Sequence, residues 1–186
     1  MQVVHLGQEP QLYCWRSPVG SEVDFAAESG RFRRLLFFEL LEKIPEFGRE
    51  NDGSGFLVSE ESYGNFELTL EFWVDEPANS GIFIRCADPD DIRDTNCYEV
   101  NIYDTRADQT YRTGGIVNVA APASVINTGG QWNSYEITAQ GSRLVVILNG
   151  TQTVDTTDDQ FGSGPFALQY GAGTVRFRNV QIRSLD

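Results

Sequence analysis

Gly64-Asn65-Phe66-Glu67-Leu68-Thr69-Leu70-Glu71-Phe72-Trp73 decides how the rest of the chain is read. Leu68, Leu70, Phe72 and Val74 fall at every second position, with Glu67, Thr69, Glu71 and Trp73 between them, which is the period of a strand with one buried face. Moving outward, Gly81–Cys86 repeats the scheme, with Ile82, Ile84 and Cys86 inward and Phe83 and Arg85 outward. Tyr98–Asp104 does so again, with Tyr98, Val100, Ile102 and Asp104 on one face and Glu99, Asn101 and Tyr103 on the other. Three consecutive strands each place an ionisable side chain outward: Glu71, Arg85 and Glu99. If the three share a sheet, these side chains project from one surface.

Further along, Trp132–Ala139 turns at Gln140-Gly141-Ser142 into Arg143–Leu148, and that strand turns at Asn149-Gly150 into Thr151–Asp155. An Asn-Gly pair suits a type I′ hairpin, whose two central residues both need positive φ. Gly164–Tyr170 and Thr174–Leu185 are also strand-like. At least eight strands without intervening helices predict an all-β antiparallel sandwich of the jelly-roll type. Its expected interior is Leu68, Leu70, Phe72, Ile82, Ile84, Val100, Ile102, Ile137, Leu144, Val146, Leu148, Phe166 and Leu168. Residues 1–50 read as an atypical N-terminal segment ahead of a domain at 51–186, with turn-rich Gly48–Gly55 at the boundary. Within that segment, Arg31–Ile44 is rich in helix formers and stops at Pro45, as a helix or a hydrophobic strand followed by a breaker would; one helix is the expected form and a buried strand the alternative.

The 186 residues allow one domain with a substantial core. Of the net charge of −13, most lies in residues 52–186, with 8 Lys+Arg against 19 Asp+Glu; residues 1–51 hold 6 against 8. So acidic a domain repels phosphate backbones and anionic bilayers, and neither nucleic acid nor membrane is expected as a partner. Met1–Pro10 lacks the basic-then-apolar order of a secretory signal. His5 is the only histidine and Lys43 the only lysine. A Ser-His-Asp triad, a multi-His zinc site and a Schiff base therefore lack material, and acid/base work falls to carboxylates, tyrosines or water. Cys86 and Cys97 bracket a short loop and fit either a disulfide or two buried thiols. Asp88, Asp90, Asp91 and Asp94 form an acidic loop that reads first as solvated surface and second as a Ca²⁺ site.

Two carboxylates, a guanidinium, Asn101 and the aromatics Trp73, Phe83 and Tyr103 suit a sugar, which offers C–H faces to stack on and hydroxyls to be read by polar groups. Glu67-Leu68-Thr69-Leu70-Glu71 is similar to the Glu-x-Asp-x-Glu strand of retaining jelly-roll glucanases, with Thr at the middle position.

Several segments, in their order and spacing, together resemble the 3-keto-disaccharide hydrolase domain. They are Phe66-Glu67-Leu68 with Glu71-Phe72, Asn79-Ser80-Gly81-Ile82-Phe83-Ile84-Arg85, Tyr98-Glu99-Val100-Asn101-Ile102-Tyr103-Asp104, Gly115-Ile116-Val117 with Ala121-Pro122, Gly130-Gln131-Trp132-Asn133-Ser134-Tyr135-Glu136-Ile137, Leu148-Asn149-Gly150, and Val175-Arg176-Phe177-Arg178-Asn179-Val180. The resemblance covers about residues 54–185. It implies a concanavalin A-like jelly roll whose concave face binds carbohydrate, and cleavage of glycosides oxidised at C3 by C2 proton abstraction, elimination and hydration. It implies Glu99 as the base, Glu71 as a second acid/base and Arg85 as the enolate clamp, with Asn79, Asn101, Tyr103, Gln169 and Trp132 around the substrate. The family's Gln after Glu-Val is Asn101 here, and Tyr170 follows Gln169 where the family has His. No organic cofactor is expected, a divalent metal is left open, and the family implies a periplasmic or secreted location. The alternatives are a non-catalytic, lectin-like carbohydrate-binding module on the same fold and a protein-interaction domain.

Overall fold

The structure is a computed structural model that describes the backbone of residues 2–6, 11–16, 22–27 and 33–35 and all of residues 55–185, with side chains described from 55 onward. Thirteen strands are described: β1 (Gln2–Leu6), β2 (Gln11–Arg16), β3 (Glu22–Ala27), β4 (Arg33–Leu35), β5 (Gly55–Val58), β6 (Phe66–Val74), β7 (Ser80–Ile84), β8 (Tyr98–Ile102), β9 (Trp132–Gln140), β10 (Arg143–Leu148), β11 (Thr151–Thr157), β12 (Ala167–Tyr170) and β13 (Val175–Ser184). Strands β11-β10-β9-β6-β13-β4 make a six-stranded sheet and β5-β12-β7-β8 a four-stranded one, while β1-β2-β3 form a small separate sheet. The two larger sheets pack face to face as a jelly-roll sandwich. Among the described residues, no helix is long and apolar enough to cross a membrane.

Alternation places the core. Every residue expected in the interior lies in one buried cluster between the two larger sheets, joined by Phe66, Tyr98, Ile116, Tyr135, Phe177 and Val180. The Asn149-Gly150 turn has φ of 51° and 76°, the two positive values that a type I′ hairpin requires.

Two expectations are corrected. Strand β6 does not share a sheet with β7 and β8. The turn at Asp75–Asn79, closed by the Ala78 N–H donating to Asp75 O at 3.2 Å, carries the chain across the sandwich from one sheet to the other. Alternation is the same whether consecutive strands pair edge to edge or face each other, so the pattern alone does not separate the two. The helix expected over residues 31–44 is also not formed where the chain is described. Arg33–Leu35 is β4, paired with Val180–Ile182 of β13, whose free edge offers backbone partners; the rest of that segment lies outside the described residues.

Candidate functional site

Strand β8 is buried on both faces. Tyr98, Val100 and Ile102 point into the main core, so Glu99 and Asn101 point out of the sandwich from the four-stranded sheet. That outer face is partly covered, with Glu99 and Asn101 buried and Tyr103 and Gln169 half-buried. Residues 115–117 run along the free edge of β8, with the Asn101 N–H donating to Gly115 O at 3.0 Å and the Val117 N–H donating to Glu99 O at 2.9 Å. The loop 87–96 is tied at its base by a Cys86–Cys97 disulfide, which settles the open question about these two residues. Val58, Phe83, Cys86, Cys97 and Ala167 form a second apolar cluster there, with Phe56 edge-on to Phe83 at 5.2 Å between ring centres.

Register sets the neighbours of Glu99. Phe83 of β7 lies directly opposite it, and Gly81 lies opposite Asn101. Continuing the β12–β7 register brings Gln169 beside Gly81. Gly81 has no side chain, and those of Glu99 and Gln169 close over it: a Cβ there would sit 3.1 Å from Glu99 Oε1 and 3.4 Å from Gln169 Oε1.

Glu99 is only 9% exposed and makes no side-chain hydrogen bond among the described residues. Burial beside the apolar cluster pushes its pKa up to about 7, the negative charge of Asp94 adds to the rise, and Arg106 opposes it. Asp94 is held by Asn118 Nδ2 at 3.0 Å, one residue beyond the Val117 that bonds the Glu99 backbone. A carboxylate tuned to the neutral range and left without a partner is suited to taking a proton from a bound molecule.

Tyr135 ties this row to the other sheet. Its hydroxyl crosses the core from β9, donates to Asn101 O at 2.7 Å and accepts from the Gly114 N–H at 2.8 Å.

Of the residues read as a site, Glu99, Asn101 and Gln169 come together on this face, and Asn79 and Tyr103 continue it at the next row. Glu71, Arg85 and Trp132 do not join them. Glu71 points out of the six-stranded sheet, on the opposite side of the sandwich, and is bound by Arg178 Nε at 2.6 Å and Asn179 Nδ2 at 3.0 Å. Partial burial raises its pKa, but the hydrogen bonds from Arg178 and Asn179 outweigh this and leave it below the ordinary value. Trp132 lies on that same sheet, opposite Trp73, with the Arg178 guanidinium 3.8 Å from its ring centre. Arg85 leaves the alternation because its φ is 52°. Its buried guanidinium donates to Gly64 O, Gly141 O and Phe161 O and fastens three loops at one end of the sandwich. Tyr170 packs against the main core, so it does not stand in for a histidine on the Glu99 face.

The sequence reading missed Arg106 and Asp94 as the charges that act on Glu99. Both sit in irregular loops, where no periodicity marks a face. Among the described residues no three His, Cys, Asp or Glu side chains are placed to share a metal ion. In the acidic loop, Asp88 accepts from the Asp90 N–H, Asp91 from Arg93 Nε and Asp94 from Asn118.

The family model of the 3-keto-alpha-glucoside-1,2-lyase-like domain matches residues 19–183, so the match begins within the segment read as atypical and takes in β3 and β4. No curated protein matches the chain. Two solved structures from Parabacteroides distasonis, each provisionally assigned as a glycosyl hydrolase, share the fold. One has TM-score 0.65 and 19% identity over 75% of this chain and 79% of the other; the second has TM-score 0.64 and 22% identity over 87% and 90%. A carbohydrate-binding module, CBM66 of Bacillus subtilis, aligns with TM-score 0.57 and 20% identity over 73% of this chain and 84% of its own.

Proposed function

The chain belongs to the 3-keto-alpha-glucoside-1,2-lyase-like domain family, and from that premise we propose that it cleaves 3-keto-glycosides by elimination, with Glu99 as the base. The observation that carries this reading is the buried, unpartnered Glu99 carboxyl with its pKa pushed up to about 7.

A C3 ketone acidifies the neighbouring C2–H. Glu99 removes that proton, and the electron pair of the C–H bond moves into the enolate, whose charge rests on the C3 oxygen. The enolate collapses with cleavage of the C1–O bond, which gives the enone and the aglycone alkoxide; the alkoxide takes a proton from the newly formed Glu99 carboxyl or from water. Water then adds at C1 and C2 regains a proton. No covalent nucleophile is required, which fits a chain whose one histidine and one lysine lie in residues 1–51. Arg106 is the cation whose charge opposes the rise in the Glu99 pKa, and Arg85, bound to three loop carbonyls, is not placed to clamp the enolate.

The test is incubation with a 3-keto-disaccharide and with its unoxidised parent in D₂O. The expected result is release of the aglycone from the keto sugar alone, with deuterium at C2 of the product. Equal cleavage of the parent, or release without deuterium at C2, overturns the mechanism. Binding of both sugars without cleavage of either identifies a non-catalytic sugar-binding module instead.

Two substitutions test where the chemistry sits. Glu71→Gln changes turnover of the 3-keto sugar by less than about twofold, because the residue lies on the far side of the sandwich from Glu99; a hundredfold loss in kcat places the site on the wrong sheet. Gly81→Ala puts a methyl group against Glu99 and Gln169. It keeps the unfolding free energy within about 1 kcal/mol, since the strand gains propensity as the row becomes crowded, and weakens sugar binding by about tenfold or more. Unchanged affinity in a folded Gly81→Ala protein shows that the ligand does not enter this row.

A further inference from the structure

The Cys86–Cys97 disulfide lies in the same outward row as Glu99. Cys97 immediately precedes β8 and alternates with Glu99 and Asn101, and both cysteines are buried in the outer apolar cluster with Phe83, the residue opposite Glu99. The loop that they close, residues 87–96, holds Asp88, Asp90, Asp91 and Asp94 against one cation, Arg93. Most of it is exposed, and Ile92 packs on the cluster. The Ala87 N–H donates to Asn96 O at 2.9 Å, and Asp94 accepts from Asn118 Nδ2 at 3.0 Å.

Such a loop is drawn toward water and repelled by a neighbouring carboxylate. It is nevertheless held against the strand that carries Glu99. The strands beside Glu99 offer Phe83 and Gly81 on β7 and Gln169 on β12, none of them charged, and residues 115–117 add no charge. The charges that act on Glu99 are Asp94 from this loop and Arg106 from the segment after β8. A covalent tie resists the repulsion that hydrogen bonds at the surface do not. We propose that the Cys86–Cys97 disulfide is a positioning bridge for Glu99, which clamps the acidic loop against the start of β8, keeps water from the carboxyl and holds Asp94 near it. The sandwich itself does not depend on the bridge, because neither cysteine belongs to the main core. The proposal rests on the reading of Glu99 as the base.

The test is a titration of Glu99 itself. Protein labelled with ¹³C at its glutamate carboxyls is followed by NMR from pH 4 to 9, and the Glu99 signal is the one lost in Glu99→Gln. In Cys86→Ala/Cys97→Ala the Glu99 midpoint is expected about one pH unit below that of wild type, and the acid limb of kcat/KM moves down with it. Asp94→Asn keeps the bridge and the acceptor for Asn118, and it also lowers the midpoint. Added to the double substitution, Asp94→Asn has less effect than it has alone, because the loop has already left Glu99. A folded double variant whose Glu99 titrates as in wild type overturns the proposal, as does an unshifted midpoint in Asp94→Asn or full additivity of the two changes. A double variant that no longer unfolds cooperatively also overturns it, since the sandwich then needs the bridge. The titration uses no substrate, so a lowered midpoint in a protein that fails to cleave the 3-keto-disaccharide keeps the bridge and removes only the lyase reading.

Discussion

Glu99→Gln lowers turnover of a 3-keto-disaccharide by roughly 10²–10⁴, the usual contribution of a positioned base, while the protein stays folded and still binds sugar. The amide matches the shape of the neutral carboxyl but cannot accept the C2 proton. The wild-type pH profile carries the same information. A base must be ionised to act, and Glu99 ionises near pH 7. kcat/KM therefore rises about tenfold per pH unit on the acid side of 7 and levels off above it. Full activity in Glu99→Gln, or a profile flat from pH 5 to 8, rejects Glu99 as the base.

The second large effect is on stability, and it has the opposite sign. The folded protein favours the protonated Glu99 carboxyl because its site is apolar and offers no hydrogen bond, whereas the unfolded chain releases that proton near the ordinary value of 4.5. Between pH 4.5 and about 7 the folded state binds more protons than the unfolded one, so this residue makes stability fall as pH rises; above 7 its contribution is constant. The accumulated loss is on the order of 3 kcal/mol. Glu99→Gln is free of it. Wild type and variant are expected to unfold at the same urea concentration near pH 4, and the variant at a midpoint roughly 1–3 M higher at pH 8. A variant less stable than wild type at pH 8 means that the ionised carboxylate is stabilised in the fold, and the activated base goes with it. A gain in stability paired with a loss of turnover is the expected signature of a strained functional carboxyl.

What could be read without coordinates was whatever depends on period and on local backbone demands. Leu68, Leu70 and Phe72 announce the buried face of β6 through their spacing, and Ile82, Ile84, Val100 and Ile102 do the same for β7 and β8. Asn149-Gly150 announces its hairpin because few other pairs tolerate its dihedrals. Within the site, Glu99, Asn101 and Gln169 were legible because each sits outward on a regular strand and within a segment that resembles the family. Arg85 was not. Its alternation reads outward, but one positive φ turns its guanidinium to three loop carbonyls.

The sequence by itself determined an acidic all-β sandwich and the residues of its interior, and it left carboxylates as the candidates for any acid/base role. These follow from side-chain period, turn propensity and the near absence of His and Lys, all local properties of the chain. Only the tertiary structure decided which carboxylate is paired and which is buried without a donor. Glu71 and Glu99 occupy equivalent outward positions on alternating strands, yet the turn at Asp75–Asn79 sends their strands to different sheets. One then meets Arg178 and Asn179 and is held ionised, while the other is enclosed by Phe83, the disulfide-tied loop and residues 115–117 without a donor. Desolvation and pairing depend on what the rest of the chain brings near a side chain, and strand pairing at long range settles that.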